Sequence, residues 1–243
     1  MEFTFPPKLL LVSMLTAVLF GTAFHGHAAP VPAPFMEAFA SFRAEGAQGY
    51  CHTQESKDDE DTCVVERFDP SRPEAFRWEL VSRNGQVCSE EEQQRYLQDK
   101  LVRSSHYNAP RLEKMLDLGT CEVLEEGPVV MRCRFKLVPG EAFDSAHENL
   151  EAVVWVDLAS RTIVRVELAN TKPFSAGILV RVDKTRTTME YSKRTSDMPS
   201  LLLRARVELE AKTFWLFNRR EGLTVTWSGH RKPAPRLPAS SQP

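Results

Sequence analysis

The sequence predicts a mainly β fold with a few helices (α+β): a curved antiparallel sheet forming an incomplete β-barrel with a helical lid. Three observations predict it. Residues 201–217, LLLRARVELEAKTFWLF, alternate with a period of two. Odd positions are apolar except for Thr213, while Arg204, Arg206, Glu208, Glu210 and Lys212 fall on the even ones. A helix would scatter those charges around its circumference; a strand puts them on one face. Second, FRWELVSRNGQVC and VVWVDLASRTIVRVEL read as hairpins, the first through Asn84-Gly85, a two-residue turn whose residues tolerate positive φ. Third, the helical segments are short and few. They cannot cover a long sheet as a full layer, so the sheet is expected to curl and the helices to plug its mouth. A flat sheet beside a helix layer is the alternative.

The elements follow in chain order. Lys8 precedes an apolar run from Leu9 to Phe24, and Gly26-His27-Ala28 supplies small residues after it. That layout predicts a signal peptide over residues 1–28, cleaved after Ala28 or Ala29. The run is about 16 residues, short of the roughly 20 that span a bilayer. A mature, exported and periplasmic chain of about 215 residues suits a single domain, residues 29–231. Residues 232–243, KPAPRLPASSQP, read as a disordered tail.

Phe35, Phe39 and Phe42 fall at i, i+4 and i+7, one apolar stripe on a helix ending near Gly46. This helix is the expected lid. A second helix runs from Ser89 to about Arg103, with Ser89 and Glu92 as a capping box. A third is expected from Pro110 to Leu118. Further strands are expected from Ile178 to Tyr191 and from Gly222 to Gly229. The stretch 201–217 would measure roughly 56 Å as one strand, so a strong curve or a bulge should divide it.

Five cysteines in an exported chain suggest pairing. Cys121 and Cys133 flank Glu126-Gly127-Pro128, and a hairpin centred on Gly127 would set them opposite each other. Cys51 and Cys63 have the same separation around the acidic stretch 57–61, which predicts a second stapled hairpin. Cys88 is left as a free thiol, inert if buried, able to link two chains if exposed.

Function classes are narrowed by what is missing. A net charge of −2 gives no basic face for nucleic acid. The acidic stretch has Cys63 where a calcium loop needs glycine, no Cys-x-x-Cys offers a zinc site, and His147-Glu148 lacks the second histidine of a zinc-protease helix. No metal, cofactor or catalytic residue is expected, and the chain reads as a non-enzyme. What remains is a shared apolar side: Val154 and Val156, Val164 and Val166, Leu203, Val207, Leu209, Trp215, Phe217 and Trp227. In a barrel too wide to be filled by its own side chains, such a lining becomes a cavity for an apolar ligand.

The hairpin VVWVDLASRTIVRVEL, the signal peptide, the Phe-rich first helix and the long late strands resemble the LolA-like / RseB N-terminal-like periplasmic superfamily, which includes lipoprotein carriers. The resemblance implies an incomplete barrel with an α-helical lid that binds lipid acyl chains or a lipoprotein without a cofactor. A carrier would call for a membrane-protein partner; a monomer is expected, or a Cys88-linked dimer. A lid-locking arginine would fall at Arg43. The cysteine hairpins depart from the simplest carriers. A packed domain of the same fold, acting by its surface in envelope interaction or stress sensing, is the competing expectation.

Overall fold

The computed structural model of the protein describes residues 30–42, 49–104, 112–139, 144–176, 179–214 and 217–233. The expected signal peptide, Arg43, Trp215 and the tail beyond 233 lie outside the described residues.

A single antiparallel sheet organises the chain. Its strands are β1 (Cys51–Asp58), β2 (Cys63–Phe68), β3 (Trp78–Arg83), β4 (Gln86–Val87), β5 (Leu116–Glu126) and β6 (Val130–Leu137), then β7 (Leu150–Asp157), β8 (Thr162–Asn170), β9 (Phe174–Ser175), β10 (Val180–Tyr191), β11 (Leu202–Thr213) and β12 (Phe217–Arg231). Their order is β4-β3-β2-β1-β12-β11-β10-β8-β7-β6-β5, with β9 added beside β10. The sheet does not close: β4 and β5 stay as edges, giving an incomplete barrel. The helices are α1 (Ala33–Ser41), α2 (Glu90–Ser104) and α3 (Leu112–Met115).

Local chemistry sets these boundaries. Pro32 and Pro34 open α1, where a missing N–H costs nothing. Ser89 and Glu92 close the expected capping box: Glu92 N donates to Ser89 Oγ, and Ser89 N to Glu92 Oε2. Asn84 and Gly85 take φ of 51° and 77°, the two left-handed residues of a tight hairpin. At the β7–β8 turn, Asp157 accepts Ser160 N, Ser160 Oγ and Lys193 Nζ. The ammonium and hydroxyl donors hold its carboxyl down at about 2.

Several expectations are corrected. The third helix is one turn only; at Leu116 the chain enters β5 and pairs with Leu137, because Leu112, Met115 and Leu116 are all buried against the core. The stretch 201–217 is a strand to Thr213 followed by a hairpin turn. Thr213 faces Phe217, so Leu209 and Phe217 lie on different strands. No glycine, proline, asparagine or aspartate stands between Thr213 and Phe217 in the sequence to signal that reversal.

All five cysteines are free thiols. The β1–β2 loop is centred on Glu60 rather than Lys57, because Asp58 accepts the N–H groups of Glu60 and Thr62. Lys57 therefore faces Cys63, and Cys51 sits at the far end of β1, donating its thiol to Asp69. The expected Cys51–Cys63 bridge does not form. In the other hairpin a register shift sets Val123 opposite Cys133. Cys121 becomes its neighbour, and the two thiols hydrogen-bond without a bond between the sulfurs. Burial first, then Cys121, pushes the Cys133 thiol up to about 12.

Candidate functional site

The pairing register places one continuous side-chain face across the whole sheet. Cys133 pairs Val154, Val154 pairs Val166, Val166 pairs Met189, Met189 pairs Ala205 and Ala205 pairs Val225. Val225 pairs Ser56, which pairs Val64. Directly paired residues point to the same side of a sheet. Both long helices lie on this face, at opposite ends.

Under α1 the face is solid. Phe35 and Ala38 are fully buried, and Phe42 nearly so. Phe35 rings against Phe39 and Phe135 at 5.5 and 4.8 Å, and Phe42 meets Tyr191 edge-on. Met131, Cys133, Phe135, Ala152, Val154, Val156, Ile163 and Val166 are fully buried below them. A nine-residue helix is too short to persist alone. Each buried phenylalanine adds about 2–3 kcal/mol, so burial holds it. Val154, Val156 and Val166 are thus packed core rather than cavity lining, and Phe35, Phe39 and Phe42 are the ceiling of that core. Val164 leaves the face. A bulge between Trp155 and Val156 sets Ile163 opposite Val156 and takes Val164 out of line.

The α2 end is held differently. Glu66 is buried and accepts from Gln54 Nε2 at 2.6 Å, Tyr96 Oη at 2.6 Å and Lys100 Nζ at 2.7 Å. Gln54 Oε1 in turn accepts from Trp227 Nε1 at 3.1 Å. Lys100 also lies 3.9 Å over the Trp78 ring, and Gln93 caps the N–H of Leu80. Gln93, Tyr96 and Lys100 share one side of α2, so this helix turns a polar stripe inward. His52 packs on Phe68, Trp78 and His230. Burial pushes both imidazoles below the usual histidine range. Trp227, expected in an apolar lining, is a donor in this network.

Between the two ends, no described element covers the face. On β11 and β12, Leu203, Val207 and Leu223 are 39, 37 and 39 % exposed, and Val207 faces Leu223 directly. Met189, Ala205, Leu209 and Val225 are half-buried beside them. Of the expected lining, Leu203, Val207 and Leu209 therefore meet as an uncovered apolar strip. Phe217 lies at the hairpin tip. Leu223 and Val225 were legible in the alternation of GLTVTWSG. Glu66 was legible too, as a charge at the inward position between Val64 and Phe68.

A groove of about 1090 Å³ runs between β3 and α2, lined by apolar side chains such as Trp78, Leu80 and Leu97, by Cys88, and by charges of both signs. It contains none of the expected lining. Cys88 precedes α2, yet burial and the adjacent Glu92 raise its thiol rather than activate it. Among the described residues no cluster of histidine, cysteine and acidic side chains is suited to a metal.

No protein-family model matches the chain, and no curated protein matches it. Among solved structures it is similar to a LolA superfamily protein from Nitrosomonas europaea, at 11% identity and a TM-score of 0.32. The match covers 87% of this chain and 96% of that one.

Proposed function

We propose that this protein is an exported, periplasmic binding protein that holds a lipid acyl chain, or the acyl chains of a lipoprotein, on the open strip between its two helices, and that it acts as a carrier without a cofactor. The observation that supports this reading is the uncovered strip itself. Leu203, Val207 and Leu223 stand exposed on the side of the sheet that is buried at both ends. An acyl chain laid along it would gain about 0.8 kcal/mol for each methylene removed from water. Binding rather than turnover is proposed. A membrane-protein partner would receive or deliver the ligand.

The solid core under α1 favours a second reading, in which the same domain works by its surface in envelope interaction or sensing. The two separate in one experiment. The purified protein is titrated with a fluorescent fatty acid, beside Val207→Asp and Leu223→Asp. Both positions are exposed, so the variants should fold. The carrier reading expects binding that each variant weakens at least about tenfold. A wild-type protein that binds no fatty acid supports the second reading instead.

A further inference from the structure

The tip of the β11–β12 hairpin combines three unusual features. Leu179, Phe214 and Phe217 are 46, 54 and 66 % exposed there. The two neighbouring turns are tied together, Phe214 N donating to Leu179 O at 2.8 Å. Large apolar side chains set side by side in water mark an interaction surface rather than scattered surface residues. Phe214 also sits at φ 52°, in the left-handed region where a bulky side chain is strained and glycine or asparagine is not. The chain keeps a ring there that neither packing nor backbone preference calls for.

The surrounding charge indicates what the tip meets. The strand ends that carry it, residues 172–184 and 210–221, hold six cations (Lys172, Arg181, Lys184, Lys212, Arg219 and Arg220) against three acids. The whole chain is at −2. Arg181, Lys212, Arg219 and Arg220 pair with those acids, and the excess of cations left beside exposed apolar side chains is the composition that seats at the boundary between acyl chains and anionic headgroups. Phe217 begins β12 opposite Thr213, on the same face as Val207 and Leu223, with Leu209, Ala211 and the Arg219–Glu221 ion pair between them.

We infer that this tip docks on an anionic phospholipid surface and sets the end of the open strip at the bilayer. The inference rests on the carrier reading for its purpose, but its test does not. Vesicles of phosphatidylethanolamine with phosphatidylglycerol are sedimented with the full protein, with Leu179→Ser/Phe214→Ser, with Phe214→Gly and with Val207→Asp. The wild type should co-sediment. The double variant should bind at least about tenfold more weakly while still binding the fluorescent fatty acid. Val207→Asp should show the reverse, sedimenting with vesicles but failing with the fatty acid.

Phe214→Gly should melt at a higher temperature than the wild type and yet bind vesicles more weakly, because strain and ring are removed together. Vesicles of phosphatidylcholine alone should bind about tenfold less protein. A wild type that stays in the supernatant, or a double variant that sediments like it, overturns the docking. So does equal binding to both vesicle types. A protein that dimerises without lipid, through contacts the double variant abolishes, would assign the tip to a second copy and overturn it as well.

Discussion

The two ends of the sheet are covered by helices of similar purpose and opposite chemistry. Under α1, phenylalanine rings interdigitate with Met131, Phe135 and the valines of β7 and β8, and the side chains facing the sheet are apolar. Under α2 a buried carboxylate gathers an ammonium, a phenol and an amide, with two imidazoles and two further rings beside them. Among the described residues the first arrangement buries no carboxylate or imidazole, its Glu37–Arg161 pair being exposed, and it depends mainly on area. The second depends on every partner being present and on protonation states. The α1 end is therefore a fixed wall of the open strip, and the α2 end is the wall whose hold responds to conditions.

Breaking the α1 wall should have the largest effect. Phe35→Ala removes a fully buried ring and should cost about 4 kcal/mol, read as a lower urea midpoint at unchanged slope. Next comes Glu66→Ala, expected to cost about 3 kcal/mol, because it leaves Lys100, Tyr96 and Gln54 without their acceptor. Amide exchange should accelerate in α2 and not in α1. The comparison sharpens if Glu66→Met, Tyr96→Phe and Lys100→Met are combined. Replacing the whole network by apolar groups should recover most of the loss, whereas no companion change should repair Phe35→Ala as simply.

The smallest effect is one of pH. His52 and His230 titrate below the usual histidine range when folded, through burial. The unfolded chain then binds more protons just below about 6.5, so stability is full above that value and falls as pH drops toward the lower folded values. Glu66 and Lys100 act on His52 in opposite directions. The thermal midpoint should fall between about pH 7 and about pH 5. His230→Gln should flatten that slope; an equal slope in the variant would remove the histidine pair as its cause.

Sequence alone determined the strand rhythm, the Asn84-Gly85 and β7–β8 hairpins, the α1 stripe and the α2 cap. Each depends on residues within a few positions of one another, where backbone sterics and local hydrogen bonds decide. It also carried the charge segregation on β11 and the apolar alternation of GLTVTWSG. Only tertiary structure decided the rest. A one-residue change of register moved Ile163 into the place expected for Val164, and a six-residue one set Lys57 rather than Cys51 opposite Cys63, because pairing depends on the partner strand and turn. Which part of a long apolar face is filled and which stays open depended on where two short helices landed. α1 came to rest on β7 and β8 by apolar area, and α2 on β3 by one buried glutamate. Pairings between residues far apart in the chain, such as Trp227 with Gln54, leave no periodic trace that could be read beforehand.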